Sequence, residues 1–413
     1  MSENLSQLGD RLLQARISPT TASALVADFV RHPGPKHGLV VGAGPDSPVV
    51  TCAIDALTPQ DSLTVVAGAE ADQVRAQIRQ AGAWVEQRVR VAETLVEVDP
   101  ADAVILADIA SGSADDLRAE LDALAKHLNP GGAISVAVPA AAFLGGGAAE
   151  ELDRQAALHG VGSDLVLRNV PPVRVHRLRY TPADTALAER LAPMARTSSV
   201  RLTSDMHLDS NGIAAAAICL SAAAMLRRRR SRLWLLPALA AAPVAAFFRD
   251  PQRAVPTDPA AIVAASDGSV LSVERIRDER LGDEEFLRIA VFLSVLDVHI
   301  NRAPVAGRVV DHFVVDGGFA AAMKPAAEHN VAAYTVLDTT RGTVAVAQRT
   351  GLIARRIVHR APVGTLLAKG ERFGLIRFGS RTDVYLPTEG AMPMVSPGER
   401  VVGGETVIAR WTA

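Results

Sequence analysis

At 413 residues the chain exceeds one ordinary domain, so two or three domains are expected. Lys+Arg 43 against Asp+Glu 45 leaves a formal net charge of −2, which excludes a globally basic nucleic-acid binder, and a hydrophobic fraction of 49% excludes wholesale disorder. Two cysteines, Cys52 and Cys219, far apart and with no Cys/His cluster beside them, point to neither a disulfide framework nor a metal site. A reducing cytosolic setting is expected. The opening Met1 to Asp10 has no basic region and no apolar run, so no secretion signal is expected.

From about residue 8 to 180, short apolar runs alternate with helix-like segments, the pattern of an open α/β sheet of Rossmann-like type. Strands are predicted at Gly38–Val41, Asp61–Val66, Arg88–Ala92, Asp102–Leu106 and Ala133–Val138, with an amphipathic helix over Asp115–Leu128. That helix is stopped by Asn129, Pro130, Gly131 and Gly132. Residues 1–185 are assigned to this domain and 186–211 to a linker.

Composition shifts after Pro193, and residues 212–248 form a hydrophobic hairpin. Gly212–Leu226 and Leu233–Phe248 are almost wholly apolar and flank Arg227, Arg228, Arg229, Arg230 and Arg232. Each arm reaches only about 22–24 Å as a helix, short of a ~30 Å hydrocarbon core. A hairpin buried in a protein core is one placement. The arginine cluster favours the other, a monotopic anchor whose basic turn lies among anionic headgroups.

From residue 249 to 413 the texture is β-rich, with few helices. Runs at Ala261–Ala265, Leu287–Leu293, Arg308–Val315, Val331–Leu337, Thr343–Ala347, Ile353–Val358, Phe373–Arg377 and Asp383–Leu386 are broken by Gly and Pro. A mostly antiparallel α+β domain is expected. The whole chain is therefore read as multidomain.

Gly-Ser dipeptides recur and carry nothing alone, but Gly379-Ser380 lies within Gly-Leu-Ile-Arg-Phe-Gly-Ser-Arg-Thr-Asp-Val-Tyr-Leu-Pro, residues 374–387. Other blocks precede it in order: Phe-Phe-Arg-Asp-Pro-Gln-Arg at 247–253, Ala-Ala-Ser-Asp-Gly at 264–268, the run from Val291 to Gly307 with Asp-Val-His-Ile-Asn-Arg at its centre, and Gly351–Val358. Together they resemble the short bacterial and archaeal branch of the phosphatidylserine decarboxylases. The resemblance covers about residues 244 to 410.

Decarboxylating an amino acid needs an electron sink that no natural side chain offers. The resemblance implies that the chain makes one: Ser380 attacks the Gly379 carbonyl, the ester eliminates, and Ser380 becomes an N-terminal pyruvoyl group that takes the substrate amine as a Schiff base. The two resulting chains, 1–379 and 380–413, would stay together as a heterodimer. His299 matches the family histidine beside the reacting centre, and an ordinary imidazole pKa near 6.5 suits proton transfer. Asp267 matches the family aspartate that orients the base. Implied partners are phosphatidylserine and an anionic membrane surface, on the cytoplasmic face of the cell membrane, with no metal and no nucleic acid.

Short-branch members carry Ala-Asp-Gly, Asn-Glu-Arg and Gln-Ile-Ala-Gly where this chain has Ser266-Asp267-Gly268, Asn330-Val331-Ala332 and Gln348-Arg349-Thr350-Gly351. The lost Glu and Arg predict a weakened internal ion pair or altered headgroup contacts. Longer members also carry a second histidine where Arg302 stands. The N-terminal third resembles a class I S-adenosylmethionine-dependent methyltransferase, with Gly42 and Gly44 in the nucleotide-binding loop and Leu128–Val136 as a late helix-to-strand turn. No acidic residue ends the second strand, since Glu70 comes two residues late, so a degenerate or regulatory domain without bound S-adenosylmethionine is expected. Two rival readings remain: methyl transfer as the main activity, and a lipid-binding pseudoenzyme. Only the lyase reading requires self-cleavage.

Overall fold

The computed structural model describes residues 17–194, 199–229, 232–352, 356–377 and 380–412; Gly379, Arg230 and residues 353–355 of an expected strand lie outside them. The chain divides into two compact units, Met1–Ser198 and Ser199–Ala413.

In the first unit the five predicted strands form, at His37–Val41, Ser62–Val66, Val89–Ala92, Ala101–Ile109 and Leu128–Pro139. They lie parallel, in the order Val89–Ala92, Ser62–Val66, His37–Val41, Ala101–Ile109, Leu128–Pro139. Val173–Leu178 then adds antiparallel, and Gly160–Val166 closes the edge, a hairpin beyond the predicted strands. Apolar clusters cover both faces, one around Phe29, Val40 and Val65 and one around Leu39, Val104 and Leu121, as a buried parallel sheet requires. The helix after the fourth strand, Ala114–Ala125, starts where the Ser113 side chain accepts from the Asp116 N–H. The Asn129–Gly132 stretch expected as its stop belongs to the next strand. Strand order reverses beside His37–Val41, so the crevice beyond its C-terminal end, at Gly42 to Gly44, is the natural ligand position of this fold.

The segment expected as a linker has structure of its own. Thr185–Arg190 is helical, and Ser199–Arg201 pairs with Met206–Asp209, which in turn pairs with Arg249–Pro251. Between the last two strands rise two helices, Ser210–Arg228 and Leu235–Phe247, so a β-ladder fixes the foot of the hairpin. There Asp209 caps the first helix by accepting from the Asn211 N–H and receives a bidentate Arg360 at 2.6 and 2.8 Å. A Cβ on Gly212 would come within 2.8 Å of the Phe248 Cβ, so the close crossing needs glycine. The first helix extends past its apolar run at both ends, and its 19 residues span about 28 Å. By length and composition it can cross a membrane. It is not buried in a core: among the described residues only Gly212 and Ala223 are buried in the first helix, while Leu236 and Leu239 in the second are 68% and 72% exposed.

The remainder of this unit is β-rich. Its eight-stranded sheet runs Leu366–Leu367, Gly307–Val315, Ala332–Thr339, Gly342–Arg349, Ser380–Pro387, Glu285–Leu293, Gly268–Arg277, Arg400–Val401. Alternation divides its faces. Leu287, Ile289, Val291, Val384 and Leu386 join the main core, whereas Phe286, Tyr334 and Tyr385 pack on the opposite face. A separate three-stranded sheet holds Ile300–Arg302, Arg372–Arg377 and Arg356–His359.

Candidate active site

The chain changes sheets at the segment expected to cleave itself. Arg372–Arg377 belongs to the three-stranded sheet, with Gly374 opposite Asn301, while Ser380–Pro387 runs between Glu285–Leu293 and Gly342–Arg349, with Ser380 opposite Leu293. Gly379, outside the described residues, follows the first of these strands in sequence and precedes the second.

His299 is held against this crossing from two directions. Its carbonyl accepts from the Ile376 N–H at 3.2 Å, and the loop that carries it starts at Leu293, the partner of Ser380. In that loop the Ser294 N–H donates to Asp297 Oδ2 at 2.7 Å, and Arg400 pairs with the same carboxylate at 2.6 Å. The imidazole is 2% exposed, lies 4.1 Å from the Phe247 ring between centroids, and sets Nδ1 2.9 Å from the Asp297 carbonyl oxygen. A carbonyl only accepts, so Nδ1 carries the hydrogen and Nε2 keeps its lone pair. Burial pushes the pKa down to about 4, against the raising effect of the Asp297 carbonyl and carboxylate. The expected value near 6.5 is thereby corrected: loss of solvent around the buried ring disfavours the imidazolium. At neutral pH the His299 imidazole is neutral.

Asp267 sits in a turn that only glycine completes, because Gly268 has φ +153° and a Cβ there would lie 2.1 Å from the Phe292 carbonyl oxygen. Its carboxylate accepts from Arg253 at 2.8 and 2.9 Å and from the Gly403 N–H at 2.8 Å. The neighbouring Ser266 Oγ lies 2.6 Å from Thr382 Oγ1, which ties the turn to the strand that begins at Ser380. The orienting contact at His299 Nδ1 thus comes from the Asp297 carbonyl, and Asp267 is held by Arg253 and Gly403. Arg302, where longer relatives have histidine, is buried and pairs with Asp250 at 2.8 Å.

Beside the altered Asn330-Val331-Ala332 segment lies a buried charge network. Ala332 faces Arg349 across the strand pair, and the Arg349 guanidinium, fully buried, donates to Asp383 Oδ2 at 2.6 Å, the Glu328 carbonyl oxygen at 2.8 Å and the Tyr334 and Tyr385 hydroxyls at 2.8 and 3.1 Å. Arg381 joins Asp383 and Glu328, and Arg288 joins Glu328 and Glu274. Asn330 keeps a structural place, exchanging hydrogen bonds with the backbone of Ala320 and donating to the Thr350 carbonyl. Sequence reasoning missed the roles of Arg253 and of the Arg349 network, whose partners only the turn and the strand register bring together.

In the first unit Gly42 has φ +78°, and a Cβ on it would touch Asp108 Oδ2 at 3.0 Å; a Cβ on Gly44 would lie 2.5 Å from Glu70 Oε2. The second strand, Ser62–Val66, ends apolar as expected, and the short helical turn Gly68–Glu70 brings the late carboxylate beside the loop. Burial, then the charge of Glu70, pushes the Asp108 carboxyl up. Among the described residues no group of three or more His, Cys, Asp or Glu side chains is arranged to hold a metal ion.

A family model described as phosphatidylserine decarboxylase matches residues 241–409. The chain is similar to the phosphatidylserine decarboxylase proenzyme of Geotalea uraniireducens, 48% identical over 164 residues, covering 39% of this chain and 76% of that one. It is also similar to the proenzyme of Mycobacterium tuberculosis, 47% identical over 176 residues, 41% of this chain and 76% of that one. Among solved structures, it is similar to precorrin-6y C5,15-methyltransferase from Geobacter metallireducens, at 14% identity and TM-score 0.29, covering 38% of this chain and 86% of that one. An O-methyltransferase from Bacillus cereus matches at 14% identity and TM-score 0.30, covering 43% and 90%.

Proposed function

The chain belongs to the phosphatidylserine decarboxylase family, and from that premise we propose that it is a proenzyme that cuts itself between Gly379 and Ser380 and then converts phosphatidylserine to phosphatidylethanolamine and CO₂. The observation that supports this most is the passage of the chain from one sheet to another between Arg377 and Ser380, with His299 bound by backbone to the incoming strand and Ser266 bonded to the outgoing one. Both sides of the reacting peptide are fixed before it reacts.

In the self-cleavage, Ser380 Oγ bonds to the Gly379 carbonyl carbon and its proton passes to His299 Nε2, which is neutral at working pH. The peptide C–N bond breaks, leaving an ester. Loss of the Cα proton of residue 380 then expels the Gly379 carboxylate, and hydrolysis of the resulting dehydroalanine releases ammonia and leaves a pyruvoyl group at the head of 380–413. Once formed, that group supplies the electron sink for loss of CO₂. His299 then has a second task. The substrate ammonium must shed a proton before its nitrogen reacts, and His299 can hold that proton and return it to Cα.

The hairpin gives the site its surface. Exposed Ile218, Leu236 and Leu239 offer apolar area to the lipid, and Arg227 and Arg228 end the first helix with Arg229 as its C-cap, Arg227 lying over the Trp234 ring at 5.7 Å. This arrangement suits a monotopic anchor on an anionic leaflet, which we assign to the cytoplasmic face of the membrane. Intact mass spectrometry of the purified chain tests the proposal. Wild type should give chains 1–379 and 380–413, the latter lacking a free N-terminal amine, and Ser380→Ala should give one chain; a wild type that stays whole would overturn the lyase reading.

A further inference from the structure

Gln348 and Asn301 form a buried amide pair that bridges the two sheets beside the crossing. Gln348 lies opposite Thr382 in the eight-stranded sheet, and Asn301 lies opposite Gly374 in the three-stranded one. Gln348 Nε2 donates to Asn301 Oδ1 at 2.6 Å, and neither residue has measurable exposure. Gly374 makes room for the bridge: a Cβ there would lie 3.1 Å from Gln348 Nε2 and 2.6 Å from the Val358 carbonyl oxygen.

The pair is expensive as packing. Among the described residues Asn301 Nδ2 and Gln348 Oε1 have no hydrogen-bond partner, and a buried unsatisfied amide atom is costly. Turning both amides over exchanges the atoms but leaves one donor and one acceptor unspent. Two apolar side chains of the same size would fill the space more stably. A single bond kept at such cost points to a need for what the bond fixes, and it fixes the lateral spacing of the strands that enter and leave the crossing.

We propose that Gln348 and Asn301 are positioning residues for self-cleavage: their bond pins strand Arg372–Arg377 to strand Ser380–Pro387 so that the peptide between them is presented to the serine hydroxyl. This rests on the proenzyme reading above. Neither residue takes or gives a proton in the reaction. Their contribution is geometric, where a misplacement of about 1 Å costs up to roughly a hundredfold in rate.

The test follows self-cleavage by pulse–chase during cell-free synthesis of the full chain. Gln348→Met, which keeps volume but loses the donor, and Asn301→Leu should each slow cleavage by roughly ten- to a hundredfold, and the double variant should be no slower than the worse single one. Asn301→Asp keeps the acceptor and should cleave within about threefold of wild type. Each substitution is also melted in a Ser380→Ala background, so that slow cleavage is compared only among chains shown to fold. Wild-type rates in folded Gln348→Met, or an Asn301→Asp as slow as Asn301→Leu, would overturn the clamp. Failure of wild type itself to cleave would instead overturn the proenzyme reading.

Discussion

Arg349 stands directly across the antiparallel pair from Ala332, and its guanidinium fills the place between Asp383, Glu328 and two tyrosine hydroxyls. Directly opposed positions on neighbouring strands share a face and reach the same space. An arginine at either position would therefore enter the same space. Arg381, immediately after Ser380, belongs to this network through Asp383 and Glu328, so the network steadies the first residues of what would be the small chain.

Removing the Arg349 charge should be severe. Arg349→Ile leaves Asp383 buried and short of a cation, and losing one partner of a buried ion pair costs about 3–5 kcal/mol. Urea unfolding of the Ser380→Ala chain should show this loss in the second unit, and adding Ala332→Arg should recover roughly half of it. No recovery would show that the two positions do not reach the same partners.

Acid should destabilise the second unit well above the carboxylate range. His299 and His359 are both pushed down to about 4 by burial, and His312, stacked on His359 at 3.5 Å between centroids and 3° between planes, is lowered as well. The unfolded chain holds these imidazoles near 6.5, so between pH 6.5 and 4 it binds more protons than the folded chain. Stability is then fully present above pH 6.5 and lost as pH falls toward 4, by up to about 3 kcal/mol from His299 alone. Urea midpoints at pH 7.5, 5.5 and 4.5 measure the slope, which His359→Phe should reduce. Self-cleavage should meanwhile be flat from about pH 5.5 to 8, because the base is already neutral. A rate inflection near 6.5 would count against it.

The hairpin should bind vesicles by two separable contributions. Leu236→Asp and Leu239→Asp remove apolar burial and should weaken binding to neutral and anionic vesicles alike. Arg228→Gln and Arg229→Gln should each weaken binding to anionic vesicles by about 1 kcal/mol, close to fivefold, and leave neutral vesicles almost unaffected. Co-sedimentation reads both; equal arginine effects on the two lipids would remove the headgroup contribution.

What is legible in the sequence is local. A continuous apolar run such as Leu39–Val41 does not depend on distant partners, so strands such as His37–Val41 and Glu285–Leu293 show in the pattern, and the ordered blocks single out Ser380, His299 and Asp267 as candidates. The misses are non-local or short. Ser199–Arg201 and Met206–Asp209 are too brief to show a period, and they form because Arg249–Pro251 returns beside them. The lowered pKa of His299 comes from burial beside Phe247, a residue of the hairpin far upstream. That Arg349 stands opposite Ala332 is visible only once the register is known.

Glu70 offers the sharpest case for the first unit. An open α/β sheet binds ligands beyond the strand ends where its order reverses, and here that place is the loop at Gly42 and Gly44. Cβ atoms on these glycines would meet the Asp108 and Glu70 carboxylates, so two acidic groups flank the loop, a setting that suits a ligand carrying hydroxyls and positive charge. S-adenosylmethionine has both, as a ribose diol and a sulfonium. Glu70 would hold the diol, and a hydrogen bond to a charged group contributes about 1.5–3 kcal/mol. Calorimetry on the full chain should therefore detect binding that Glu70→Gln weakens by at least about tenfold, whereas Asp267→Asn, in the other unit, should not change it. If wild type gives no binding heat, or Glu70→Gln binds as well as wild type, the carboxylate at Gly44 does not serve as a ribose ligand.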